Sequence, residues 1–362
     1  MMSQFPSGGY PYAKGVKTDW EWVLNDLFGD GKNIKALDEA VSIVKQELGL
    51  PENYKYKVIL SLYYPSPEIT NFGDVDGDGV SENLSKFEDT MKAIEWYLNL
   101  TEDTFNAQNF ENIELVGYYW FHEAINSEDD MSLRVLNSTS DLVHKKGKDF
   151  CWIPYFASNG YNAWSEYGFD VAVMQPNYVF KLETPYSNVT NCAKLTAMYG
   201  MGVEMEICTD SLSNIQFFKK YMQYVAGGAE YGYMNDCIVM YYQEMFAFRD
   251  ACKSGTLMGR MIYDATYHFI KGDLEYKPEA ISGAVFEASK NTPLKGEFKF
   301  DTEKLREFKI TGMPEHGAVT INNDGSFTFY PEKDFVGEVK FSFAYSEYLG
   351  WSDACEVTIN VK

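Results

Sequence analysis

The sequence predicts a β/α barrel of the TIM type over residues 1–274, with a small all-β sandwich over 281–362. Three observations predict it. Short, near-continuous apolar runs alternate with amphipathic stretches of helical period, the pattern of a parallel sheet covered by helices. These runs end in aromatic and polar residues, and neither G-x-G-x-x-G nor G-x-x-x-x-G-K-[ST] occurs, which argues against a nucleotide-binding doubly wound sheet. After about residue 281 the pattern changes to brief alternating segments split by turns.

In chain order, the Gly/Pro/Ser-rich opening reads as a loop. Asp19 is placed to cap a helix through Trp20, Trp22, Val23, Leu24 and Leu27, and a second helix is expected from Ile34 to Leu48. Strands are expected at 57–63 (KVILSLY), 114–120 (ELVGYYW), 150–156 (FCWIPYF), 171–175 (VAVMQ), 202–207 (GVEMEI) and 237–242 (CIVMYY). Helices are expected between them, at 86–100, 131–145, 189–199 and 213–225, and in much of the stretch to 271. Six strands are visible where a closed barrel needs about eight, so N-terminal strands lie upstream or some strands are irregular. Residues 275–280 read as a linker. In the tail, Asn323-Asp324-Gly325 between TIN and FTF is a hairpin signal.

Composition narrows the function. The chain carries 27 Tyr, 25 Phe and 7 Trp, 16% of its residues. Surplus Tyr and Trp suit places where a ring is half wet, such as sugar clefts and interfaces. A formal net charge of −22 disfavours nucleic acid and anionic lipid. No apolar run reaches the length of a membrane span, and no signal peptide is visible. None of the six cysteines stands in a C-x-x-C pair, and Cys151, Cys208 and Cys237, in or at the ends of apolar runs, read as buried free thiols.

Two glutamates carry the expected chemistry. Glu123 follows a strand in GYYWFHEAI and Glu206 ends one in GVEMEIC. In a parallel barrel both belong to the rim at the strand ends, three strands apart and so across the mouth. Glycoside hydrolysis needs such a pair, with ~5 Å favouring retention and roughly 6.5–9.5 Å inversion. The expected roles are Glu123 as acid/base and Glu206 as nucleophile of a retaining hydrolase. Either residue alone would pass for a structural strut. Glu204 lies one step deeper on the same strand face, and Glu244 is a weaker candidate. His122 reads as a packed or supporting residue. For sugar contacts the rim offers Tyr63, Tyr64, Tyr119, Trp120, Tyr155, Asn159, Tyr161, Trp164, Gln175, Asn177 and Tyr178, with Tyr242 nearby. Trp164 and Tyr178, in loops, are the preferred stacking platforms, because strand-interior rings can simply be core. The alternative is a non-catalytic carbohydrate-binding or structural cell-surface protein.

Asp74, Asp76 and Asp78 occupy positions 1, 3 and 5 of a calcium-type loop with Gly79 at the turn. Position 12 is Ser85, which excludes a full EF-hand. Three crowded carboxylates still favour a smaller structural Ca2+ loop, with Asn71 and Glu82 as further oxygen donors. No organic cofactor is expected.

The runs Asp19-Trp20-Glu21-Trp22, Asn71-Phe72-Gly73-Asp74, Gly117-Tyr118-Tyr119-Trp120, Trp152-Ile153-Pro154-Tyr155-Phe156, Gln175-Pro176-Asn177-Tyr178 and Gly202-Val203-Glu204-Met205-Glu206 resemble the bacterial domain-of-unknown-function family 4855. The resemblance implies a glycoside-hydrolase-like barrel in an exported or cell-surface bacterial protein, and a polysaccharide partner. Asn291-Thr292-Pro293-Leu294, Pro314-Glu315-His316-Gly317 and Asp324-Gly325-Ser326-Phe327 resemble a cadherin-like (Ig-like) tandem module. Such a module implies neighbouring modules of a larger surface protein.

Overall fold

The computed structural model describes residues 5–8, 14–275, 277–281, 283–300 and 303–362. The chain divides into two compact units. One comprises Met1–Gln175 with Leu195–Gly202, and the other Pro176–Lys194 with Val203–Lys362.

The elements follow the alternation of the sequence. Helices α1 (Lys17–Leu27) and α2 (Asn33–Leu48) precede β1 (Tyr56–Leu62), α3 (Phe87–Ala107), β2 (Ile113–Trp120), α4 (Asp130–Lys145), β3 (Asp149–Trp152) and β4 (Val171–Met174). Then come α5 (Ser187–Tyr199), β5 (Gly202–Glu206), α6 (Ile215–Tyr231), the single turn α7 (Tyr233–Asp236), β6 (Val239–Tyr242), α8 (Ala247–Lys253) and α9 (Leu257–Lys271). The six strands make one sheet in the order β1-β2-β3-β4-β5-β6, and the pairings within it are parallel. This is a β/α barrel architecture in six-stranded, half-barrel form.

Among the departures from expectation, three have local reasons. Helix α1 starts two residues before Asp19, which sits at the third helical position. Its carboxylate accepts the Val16 N–H at 3.0 Å and the Ser7 N–H at 3.0 Å, so it still serves an orphan donor of the first turn, but from inside the helix. Strand β3 stops at Trp152, just before Pro154, which lacks an N–H for the ladder. In β2 the register against β1 slips between Leu115 and Gly117. Val116 is the extra residue of a bulge, and beyond it the alternation of buried positions breaks at Gly117-Tyr118.

In the first unit Trp20 is fully buried, meeting Phe72 at 5.0 Å and Tyr97 at 5.1 Å, both edge-on. Tyr63 joins this cluster through Phe5, Tyr97 and Phe121. It is therefore core and not rim, as expected of a strand-interior ring.

The C-terminal region of the second unit is all β. It contains β7 (Ala284–Ala288), β8 (Leu294–Glu297), β9 (Glu307–Gly312), β10 (Gly317–Ile321), β11 (Ser326–Pro331), β12 (Gly337–Ser346) and β13 (Cys355–Val361). One sheet runs β10-β11-β8 and the other β7-β13-β12-β9. The expected Asn-Asp-Gly hairpin joins β10 to β11, with Gly325 at φ 85° and the Asp324 carboxylate accepting the Ser326 N–H. Phe298 stacks on Phe327 and Phe343 at 5.0 and 4.2 Å. These rings, with Val357 and Ile359, form a core drawn wholly from residues 281–361.

Candidate active site

In the second unit, Glu206 is the last residue of β5 and is 1% exposed. Its carboxylate is met by donors from three residues. Tyr224 on α6 donates its hydroxyl to Oε2, the Tyr178 N–H donates to Oε2 at 3.2 Å, and the Asn177 amide donates to Oε1 at 3.3 Å. Asn177 holds φ at 48°, a left-handed conformation that Asn tolerates better than most residues. That twist lets two consecutive loop residues face one carboxylate. Burial pushes the Glu206 pKa up to about 7, against the pull of Tyr224, Tyr178 and Asn177. Glu204, two residues earlier, is also buried.

In the first unit, Glu123 follows β2 and is half-buried. Burial raises its pKa, and a hydrogen bond with the Gln175 side chain works the other way. Gln175 is itself fixed by donating to the Ile153 carbonyl at 2.9 Å. The Glu123 carbonyl accepts the Tyr155 N–H at 3.4 Å. His122 stacks on Tyr64 at 4.2 Å and 21°, its carbonyl accepts the Trp152 indole N–H at 2.8 Å, and burial lowers its pKa. It packs and supports, as its sequence context suggests. Tyr64, Trp120, His122, Asn126, Asp129 and Ser132 border a cavity of about 120 Å³ beside the ends of β1 and β2.

The expected sugar platforms fare differently. Tyr178 is 4% exposed and Trp120 3%, so neither ring is open for stacking. Tyr178 serves Glu206 through its backbone, and its hydroxyl donates to Gln223 on α6. Trp164 is not brought to the strand ends. Its indole N–H bonds the carbonyl of Tyr199, in the segment that leads into β5, and Tyr161 meets the Tyr199 ring edge-on at 5.5 Å. The 3-10 turn over 161–167 carries both rings back toward strand starts before β4 begins. Tyr155 is 44% exposed and Tyr242 42%. Asn159 is exposed and Tyr119 half-buried. Glu244, at φ 49°, accepts the Thr209 N–H at 2.9 Å and the Thr209 hydroxyl at 2.6 Å, tying the loop after β5 to the loop after β6.

Strand-end reasoning missed Tyr224, Lys220 and Gln223. All three lie on one helix, and i,i+4 spacing puts Lys220 and Tyr224 on one face. That spacing was a signal available in the sequence, but a helix with several Lys, Tyr and Gln residues offers more than one such pair.

Each of Asp74, Asp76 and Asp78 presents a carboxylate oxygen within 4.8 Å of the others. The donor set of hard oxygens fits Ca2+. The loop is also braced from within. Asp74 accepts from the Gly77 and Gly79 N–H groups at 2.6 and 2.9 Å, and Asp76 pairs with Lys92 at 2.5 Å. Glu82 is buried and accepts the Val75 N–H at 3.0 Å.

The family model described as Domain of unknown function (DUF4855) matches residues 8–268, and that described as Cadherin-like domain matches 286–362. No curated protein matches the sequence. Among solved structures, a cell-surface-expressed multi-modular chitinase from Paenibacillus sp. str. FPU-7 aligns at 11% identity and TM-score 0.41, over 96% of this chain and 39% of its own. A fungal β-1,4-galactanase aligns at 11% and 0.35, over 68% of this chain and 79% of its own. A 5-methylcytosine deaminase from Klebsiella pneumoniae aligns at 13% and 0.33, over 56% and 44%. These TM-scores lie below 0.5, and none of the three bears on what this protein does. Among the described residues, no helix is long and apolar enough to cross a membrane.

Proposed function

Since the chain belongs to the DUF4855 family, whose description assigns no activity, we propose from its residues that it is a glycoside hydrolase acting on a polysaccharide outside the cell. Glu206 is the nucleophile of a retaining reaction and Glu123 the acid/base. What supports this reading most is the setting of Glu206. A carboxylate at the end of a parallel strand, with hydrogen-bond donors from three residues and no cation beside it among the described residues, is costly to maintain for packing alone. Its donors orient the carboxylate and oppose the effect of burial, so that the anion a nucleophile requires forms above about pH 7. Glu123, raised by burial, keeps a proton to higher pH than a free glutamate, as an acid catalyst requires. Exposed Tyr155 and Tyr242 offer ring faces to sugar C–H surfaces. Tyr64, Tyr119, Asn159, Gln175, Glu204 and Glu244 are the polar and aromatic residues offered for further contacts.

The test is a polysaccharide panel with the purified chain and two variants. Glu123→Gln and Glu206→Gln are each expected to lower turnover by ~10²–10⁴-fold with the fold intact. Full activity in both sinks the mechanism. One observation favours a second reading, a glycan-binding protein without hydrolysis: at 1% exposure, Glu206 offers little surface to a substrate. Binding on the panel with no cleavage by the wild type decides for it.

The Asp74–Asp78 loop takes a structural Ca2+ in this proposal, held by Asp74, Asp76 and Asp78. Calcium at 100-fold over its Kd is expected to stabilise the fold by about 2.7 kcal/mol, read as a rise in Tm that EDTA reverses. An unchanged Tm in millimolar calcium removes the site.

A further inference from the structure

The loop that reaches Glu206 is itself held by a buried cation. Lys220, on α6, is 6% exposed. Its ammonium makes no ion pair among the described residues. It donates instead to two main-chain carbonyls, Tyr178 at 3.0 Å and Thr184 at 2.7 Å, and lies 3.8 Å from the centre of the Tyr178 ring. Its hydrogen-bond partners are neutral and the Glu183 carboxylate acts on it only through space, so burial of the ammonium is costly, and an apolar side chain would fill the same space at less cost. What the ammonium does that Met or Leu cannot is join two carbonyls six residues apart and attract a ring face.

Two of these three contacts, to the carbonyl and the ring of Tyr178, fall on the residue whose N–H meets Glu206. One turn along α6, the Tyr224 hydroxyl accepts that same Tyr178 N–H at 3.0 Å and donates to Oε2. Gln223 takes the Tyr178 hydroxyl. Three residues of one helix therefore fix the ring, hydroxyl, N–H and carbonyl of Tyr178. Of these, only Lys220 also reaches the far end of the loop, at Thr184.

We propose that Lys220 is a positioning residue for Glu206: by bridging Tyr178 and Thr184 it holds the loop after β4 where Tyr178 N–H and the Asn177 amide meet the carboxylate. This role rests on the reading of Glu206 as a working acid. Other groups that act on this carboxylate from packed elements are Cys192 on α5 and Tyr224 on α6.

The test uses the full chain with Lys220→Met and Lys220→Gln. The midpoint of Glu206 is read by carboxyl 13C NMR, with assignment from Glu206→Gln. Loosening the loop weakens donors that favour the anion, so Lys220→Met is expected to move the midpoint up by roughly one pH unit, a tenfold change in the proton equilibrium. Lys220→Gln, which keeps an N–H donor, is expected to fall between Lys220→Met and the wild type. On a cleaved polysaccharide, the acidic limb of kcat/KM is expected to move by the same amount. A folded Lys220→Met protein with an unmoved Glu206 midpoint overturns the proposal and leaves Lys220 a loop staple. Failure of both variants to fold overturns it too, in favour of a purely structural role. Absence of cleavage by the wild type refutes the hydrolase reading alone, because the NMR midpoint does not depend on turnover.

Discussion

Glu206 shows how burial and hydrogen bonding set one residue's chemistry. Desolvation favours the neutral acid and the donors from three residues favour the anion; burial wins, and the pKa stands at about 7. The consequence for stability has a definite sign. Between pH 4.5, the ordinary value, and about 7 the folded state keeps a proton that the unfolded chain has lost. Stability therefore falls as pH rises through that window, by about 3 kcal/mol in all. Glu206→Gln removes the titration, and the amide oxygen can still accept at the Oε2 position. The variant is expected to match the wild type near pH 4.5 and to exceed it by that amount at pH 8, in denaturant melts at the two pH values. Equal differences at both pH values would show that Glu206 does not titrate in this range. The sequence placed Glu206 at a strand end because GVEMEI is a readable strand. Tyr224 stayed hidden because it approaches from α6, 18 residues further on, and nothing local marks which helical tyrosine turns inward.

Strand β2 shows what local pattern can and cannot carry. The run ELVGYYW identifies a strand, since its residues are apolar and aromatic. The bulge at Val116 was not readable, because the period of two is obscured when both faces of a strand are buried. Its consequence is that Gly117 lies against β3, where a Cβ would sit 2.6 Å from the Asp149 carbonyl oxygen. The closest contact is main chain, with no flexible side-chain end to yield. Gly117→Ala is expected to destabilise by about 1–3 kcal/mol, measured as a lower denaturant midpoint at unchanged m. An unaltered midpoint would mean that the sheet opens freely at the bulge. The loop over 176–186 is a similar case. The sequence places Tyr178 in a loop, while the direction of that loop is set by Lys220 and Tyr224 on α6.

For the whole molecule, the change of pattern near residue 281 marks a real change of architecture, from β/α to all-β. Among the described residues, the core of the tail contains none from before 281. The segment 281–362 is therefore expected to fold alone, with a single cooperative thermal transition and a far-ultraviolet spectrum of β type. A disordered fragment would show that the contacts of Lys219 with Glu307 and of Phe218 with Tyr348 are needed for it to stand. The net charge of −22 adds self-repulsion over the surface and speaks to solubility and partners, not to fold.

The sequence by itself determined the alternation of strand and helix, the hairpin at Asn323-Asp324-Gly325, the acidic loop and the strand-end places of Glu123 and Glu206. All of these are recorded within a dozen neighbouring residues, as period, turn chemistry and spacing. Only the tertiary structure decided which rings are covered and which donors meet each carboxylate. Tyr178 and Trp164 look alike as aromatic loop residues, yet one closes over Glu206 and the other turns back to Tyr199. The physical reason is that burial and hydrogen bonding are set by partners far along the chain, and a loop of this length has several ways to run until a helix such as α6 supplies the groups that hold it.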